Sequence, residues 1–131
     1  MIIVLDASAA IEVVLRRKRA SVFGQNILDA DWVISPTLYV SEVSNVFWKY
    51  HQYHNLPIEE CEKGLVHALS LPDEFSDDRD LCLEAFSLSC ITQRPVYDMF
   101  YLVLARRHNG YLLTMDRSLR QVAKKQSIRI L

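Results

Sequence analysis

Pro95-Val96-Tyr97-Asp98-Met99-Phe100-Tyr101-Leu102-Val103-Leu104-Ala105-Arg106-Arg107-His108-Asn109-Gly110-Tyr111-Leu112-Leu113-Thr114-Met115-Asp116-Arg117-Ser118-Leu119 reads as a helix, a tight turn and a strand, with an acid near each end. Met99, Phe100, Leu102, Val103, Leu104 and Ala105 put apolar groups nearly all round the helix, which predicts burial on most sides. Arg106, Arg107 and His108 suit the negative end of the helix dipole, and Gly110 is expected to be the left-handed residue that ends it. Tyr111 to Thr114 then reads as a buried strand. Asp116 follows it and opens the next helix, so its carboxylate falls at the strand's C-terminal edge, where ligands bind in open α/β sheets. Asp98 taken alone reads equally well as a dipole partner of its helix.

The N-terminus repeats the pattern. Ile2-Ile3-Val4-Leu5 is a continuous apolar run, the mark of a strand covered on both faces, and Asp6 comes directly after it. Ser8 is expected to cap the following helix, whose apolar positions Ala7, Ile11, Val14 and Leu15 keep helical spacing up to the basic run Arg16-Arg17-Lys18-Arg19. Asn26 to Asp31 reads as a connection into a second strand, Trp32 to Ser35, and Ser35-Pro36 as a helix start. Along that helix Tyr39, Val43, Val46, Phe47 and Tyr50 form an apolar stripe that contains Glu42. A carboxylate on such a face needs a cation to meet, and Asn45 could orient it. Pro57 opens a further helix with Cys61, Leu65, Ala68 and Leu69 inward. Leu69 to Phe75, broken by Pro72, is at best an edge strand, and Asp77, Asp78 and Asp80 crowd a solvated helix start. Ile128-Arg129-Ile130 is the last strand.

The 131 residues make one domain, 1–131, with enough apolar chain for a single core. No apolar run can span a bilayer and no signal-peptide core is present, so a cytoplasmic protein without a membrane partner is expected. Cys61, Cys82 and Cys90 have no metal-type spacing and are expected to be reduced and mostly buried. His51 and His54 lack further zinc ligands, and the three glycines form no phosphate loop. Between Leu56 and Glu84 nine acids face Lys63 and Arg79, a balance of −7 in a chain of net charge −1, so the remainder carries +6. Of its basic residues Arg16, Arg17, Arg117 and Arg120 are candidates to hold a nucleic-acid backbone.

Strands alternating with helices predict an α/β fold with a parallel sheet covered on both faces. There Asp6 and Asp116 leave the same edge, Asp98 begins a helix arriving at it and Glu42 faces it. Four converging carboxylates repel one another, and a divalent cation would hold them together. Oxygen ligands suit Mg²⁺, for which Mn²⁺ can substitute, and such an ion supports phosphodiester hydrolysis.

The ordered set Leu5-Asp6-Ala7-Ser8, Ser41-Glu42-Val43-x-Asn45, Tyr97-Asp98-x-x-Tyr101-x-x-Leu104-Ala105 and Thr114-x-Asp116-x-x-Leu119 resembles the PIN-domain ribonucleases, and within them the VapC-like toxins of type II toxin–antitoxin pairs. The resemblance implies a three-layer α/β/α sandwich with a central, mostly parallel sheet. It also implies a Mg²⁺-dependent endoribonuclease, a cognate antitoxin and a homodimer. Asp6, Glu42, Asp98 and Asp116 become the catalytic acids, Asp6, Asp98 and Asp116 the metal ligands, and Ser8 and Thr114 polar helpers. Trp48, Tyr50 and Tyr53 are candidate aromatic anchors for a partner. The chain departs from the family pattern between Pro57 and Arg94, in length and in acidity. Two rivals are a receiver-like phosphoacceptor domain, which calls for paired acids after the first strand and a Lys after the last full strand, and a PIN-like binding module that has lost its acids. This chain has Asp6 alone at the first place, no Lys after Ile128-Arg129-Ile130, and all four acids.

Overall fold

β1, Ile2–Leu5, is the middle strand of the sheet in the computed structural model, which describes residues 1–131 throughout. It pairs in parallel with β2 (Trp32–Pro36) on one side and β4 (Tyr111–Leu113) on the other, with Ile3 level with Val33 and Tyr111. β3 (Glu74–Ser76) joins β2 at one edge and β5 (Arg129–Ile130) joins β4 at the other, giving the all-parallel order β3-β2-β1-β4-β5. Parallel neighbours need crossover helices, and right-handed crossovers from a central strand that feeds both directions cover both faces. α1 (Ala7–Val14), α2 (Ala20–Asp29), α3 (Leu38–His54) and α4 (Ile58–Ser70) make one layer. α5 (Asp78–Thr92), α6 (Val96–Arg107) and α7 (Arg117–Lys125) make the other, completing a three-layer α/β/α sandwich. No helix is long and apolar enough to cross a membrane.

α6 is the helix on which the sheet rests. Met99, Tyr101, Leu102, Val103, Leu104 and Ala105 are all buried, against β1, β2 and β4. Truncating Leu104 to Ala would cost about 2–5 kcal/mol. The helix ends on Asn109 (φ 49°), whose left-handed conformation does what Gly110 was expected to do. Gly110 matters for a different reason: a Cβ there would lie 3.2 Å from the Ile2 carbonyl oxygen, so a side chain would need the β1 backbone to give way slightly.

Other local expectations give way to tertiary structure. Ser8 does not cap α1; it lies inside the helix, and Asp6 holds the N-cap position. Residues Ala20 to Asp29 are helical, where Asn26 to Asp31 read as connection. Only Phe23 of that helix is buried, and Gly24 and Asn26 weaken its helical signal. Ser35 and Pro36 belong to β2, because Pro36 is level with Ser76 of β3 and the Thr37 N–H donates to the Ser76 carbonyl at 2.9 Å. α3 therefore starts at Leu38, and its N–H is accepted by Asp78 Oδ1 at 3.1 Å while Thr37 Oγ1 accepts from the Asp78 N–H. Asp78 thus caps a neighbouring helix and is not simply solvated. The edge strand is Glu74–Ser76 alone, since α4 runs to Ser70. Cys61 is buried, but Cys82 and Cys90 are exposed; all three are free.

Candidate active site

From β1 the chain leaves toward β2 and from β4 toward β5, so the carboxyl ends of these two adjacent strands form the sheet's switch point, where a crevice opens. Asp6 and Thr114 end the two strands there. Asp6 is 7% exposed, and its Oδ2 accepts hydrogen bonds from Ser8 Oγ and Thr114 Oγ1, each at 2.6 Å. The Met115 N–H donates to Ser8 Oγ and the Asp116 N–H to Thr114 Oγ1, both at 3.0 Å. Two hydroxyls therefore lock the first acid to the loop that carries the last. Asp116 Oδ1 caps α7 by accepting the Ser118 and Leu119 N–H groups at 2.9 and 3.1 Å.

The other two acids come from the flanking layers. Asp98 lies in the first turn of α6, half-buried. Glu42 sits one helical turn after the fully buried Tyr39 on α3 and next to the fully buried Val43, and its Oε1 accepts the Tyr101 hydroxyl across from α6. In the sequence Tyr101 belongs to the family pattern but carries no assigned role at the site. The available signal was a phenol in an all-apolar stripe, since a buried hydroxyl must find a partner.

The electrostatics join the four acids. Burial, its largest cause, raises Asp6 above the usual carboxylate range against the pull of the Ser8 and Thr114 hydroxyls, and the Asp116 charge adds to it. Glu42 is pushed up to about 7, chiefly by burial, with the charges of Asp6, Asp98 and Asp78 adding and the Tyr101 hydroxyl opposing. Asp98 is raised by burial and then by Asp116 and Asp6, while Arg94 opposes. The ion pairs of the chain are those of the Met1 amino group with Asp31, Lys63 with Glu60, Arg79 with Asp77 and Arg107 with Glu84, so no salt bridge neutralises any of the four.

A hard divalent cation fits this donor set, which is all oxygen, crowded with like charge and lacking a bonded counter-charge. As the side chains stand, no three of them form a ready-made ligand cluster. Mg²⁺ tolerates that because it keeps several waters and takes only one or two carboxylates directly.

The remaining sequence candidates separate in space. Asn45 is exposed and is not among the partners of Glu42. Arg117 and Arg120 line a cleft of about 360 Å³ with Lys18, Arg19, Glu12 and Thr114, beside the acids. Arg16 and Arg17 are elsewhere: Arg16 lines a different cleft with Lys63 and Gly64, and Arg17 lies over the Tyr50 ring at 5.2 Å. Left-handed Arg16 (φ 53°) turns the chain there, so Lys18 and Arg19 reach the crevice instead, a change of direction that sequence spacing does not reveal.

The PIN domain family model matches residues 3–125. The chain belongs to the PIN domain family. PIN domains are typically nucleases and generally use divalent metals. No individual protein of curated function matches this PIN domain by sequence. Its fold is similar to that of PAE2754 from Pyrobaculum aerophilum, at 20% identity and a TM-score of 0.72 over 93% of this chain and 87% of that one. It is also similar to VapBC2 from Rickettsia felis bound to a DNA fragment from their promoter, at 13% identity and a TM-score of 0.72 over 100% and 98%. FitAcB from Neisseria gonorrhoeae is similar at 14% identity, with a TM-score of 0.60 over 98% and 96%.

Proposed function

We propose that this chain is a single-domain, Mg²⁺-dependent endoribonuclease and the toxin of a toxin–antitoxin pair. The observation that carries the reading is the set of four carboxylates sharing one field, without an ion-pair partner, at the switch point of a PIN fold. Asp6, Asp98 and Asp116 would hold the cation. When bound, it supplies an acidified water and offsets charge on a phosphoryl oxygen. Ser8 and Thr114 fix the Asp6 carboxylate and tie it to the loop that carries Asp116. Glu42, poised at about 7 and steadied by Tyr101, is suited to take a proton from an attacking water near neutral pH. The cleft of Lys18, Arg19, Arg117 and Arg120 supplies charge for backbone phosphates.

The toxin role is supported by the likeness to VapBC2 and FitAcB and implies an antitoxin, a homodimer and a cytoplasmic setting. Trp48 and Tyr53, 52% and 66% exposed and packed edge to face, are available to such a partner; Tyr50 is half-buried against His54. A receiver domain is disfavoured further by strand order, because the flavodoxin-like order of receivers is 2-1-3-4-5 and here it is β3-β2-β1-β4-β5.

The test is cleavage of end-labelled single-stranded RNA with Mg²⁺ or Mn²⁺ and with chelator. Cutting with the metals alone is expected, together with growth arrest on expression that Asp98→Asn relieves. Activity that survives exhaustive chelation overturns the metal mechanism.

A further inference from the structure

Arg94 joins α5 to α6 and is held there by its backbone: its N–H donates to the Ser89 carbonyl at 3.3 Å, and Ser89 Oγ donates back to its carbonyl. Left-handed Gln93 (φ 56°) and Pro95 bracket it. Its guanidinium makes one hydrogen bond, from Nη2 to Ser118 Oγ on the first turn of α7, while Nε is buried without any partner. This is unlike the chain's other cations at acid clusters. Arg107 and Arg79 each reach a carboxylate through Nε and Nη2, of Glu84 and Asp77 respectively. A guanidinium offers five N–H donors in a fork made for a carboxylate or a phosphate, and here most of them await an acceptor.

The surroundings specify the acceptor. Arg94 lines a cleft of about 390 Å³ with Ser118, Gln121, Lys125 and Gln126, and no acid lines it. Its charge is felt by Asp98, yet the two are not in salt-bridge contact. Ser118, on the far side of that cleft, is also the residue whose N–H is capped by Asp116. The cationic cleft of Arg117 and Arg120 lies toward Thr114, so the two clefts use different faces of α7, the helix whose start Asp116 caps.

We infer that Arg94, backed by Lys125, forms a second phosphate subsite, so that a substrate strand is held by cationic clefts on two faces of the helix that Asp116 caps. The inference rests on the nuclease reading and adds the polarity of grip. A backbone phosphate takes the Arg94 fork bidentately and shares or displaces the neutral Ser118 hydroxyl. Recognition of this kind is independent of base sequence.

The experiment is fluorescence anisotropy with a labelled single-stranded oligouridylate in chelator across a KCl series. It compares wild type, Arg94→Ala, Arg94→Lys and Lys125→Ala, with melting curves for each and Mg²⁺ cleavage kinetics alongside. Arg94→Ala should weaken binding about tenfold. Each lost phosphate contact should flatten the log–log salt slope by about 0.7. Arg94→Lys, a point charge without a fork, should keep most of the slope while binding more weakly than wild type, and KM should rise more than kcat falls. Lys125 is exposed, so its alanine variant folds and tests the cleft even if Arg94→Ala does not. The subsite is overturned if wild type binds and cleaves RNA while Arg94→Lys and Lys125→Ala leave affinity and slope unchanged. A wild type that neither binds nor cleaves RNA overturns the nuclease reading and the subsite with it.

Discussion

Two clusters of acids sit at helix starts in this chain, and they behave in opposite ways. At the start of α5, Asp77 accepts the Arg79 N–H at 2.8 Å and pairs with its guanidinium, which lowers its pKa. Asp78 caps α3. At the switch point Asp6, Glu42 and Asp98 are raised; the side chains bonded to Asp6 and Glu42 are hydroxyls, and Asp98 has no bonded cation. The numbers of acids are similar, so number is not what marks a site. Depth of burial and the lack of a cationic partner separate a cluster that stabilises the fold from one that stores repulsion.

The contrast is broken or sharpened most strongly by removing charge. Asp98→Asn or Asp6→Asn should reduce cleavage by about three orders of magnitude, the several kcal/mol that a metal site contributes, and leave the metal-free Tm unchanged or higher. A variant that melts several degrees lower and still cuts would place these acids with Asp77 and remove the distinction. The next effect is linkage. Mg²⁺ at a hundred times its Kd should stabilise wild type by about 2.7 kcal/mol, a gain of roughly 8–14 °C, seen by scanning calorimetry. Asp98→Asn should lose most of that shift and Asp77→Asn none of it.

A smaller effect separates the clusters by pH. Raised carboxylates bind more protons in the folded than in the unfolded state, so metal-free stability should be greatest below pH 4.5 for this term and fall as pH rises through about 7, where Glu42 ionises. Glu42→Gln should flatten the decline in Tm between pH 5 and 8. Asp77, being lowered, has the reverse sign: its contribution is present above its ordinary pKa and lost as pH falls through the folded value. A Tm profile of Glu42→Gln parallel to wild type across that range would contradict the assignment. The smallest effect belongs to Asp78. Asp78→Ala should lose an α3 cap, about 1 kcal/mol and roughly 3–5 °C, with cleavage nearly intact, whereas Asp78→Asn keeps an acceptor and should be close to silent in both assays.

Much of this contrast could be read from sequence where the signal was local. Asp6 and Asp116 follow buried strands and precede helices, and that arrangement alone sends both to the carboxyl edge. α6 announced itself by being apolar on nearly every side. What escaped was set by partners far along the chain. Tyr101 meets Glu42 across 59 residues, and Ser35-Pro36 was drawn into β2 by β3 instead of starting α3. α2 buries only Phe23, too little to mark it. Nothing local in the sequence marks Arg94, because its position depends on α5, α6 and α7 packing together.

The bond between Asp6 and Thr114 spans 108 residues, nearly the whole chain. At translation rates of about 5–20 residues per second, roughly 5–20 s pass between synthesis of the first acid and of the hydroxyl that orients it. A chain still being made carries Asp6, Glu42 and eventually Asp98, but no β4 to complete the crevice. On the proposed ribonuclease reading, the ribosome-bound protein is expected to leave its own messenger uncut until β4 pairs with β1, a delay set by how late β4 and Thr114 come in the chain.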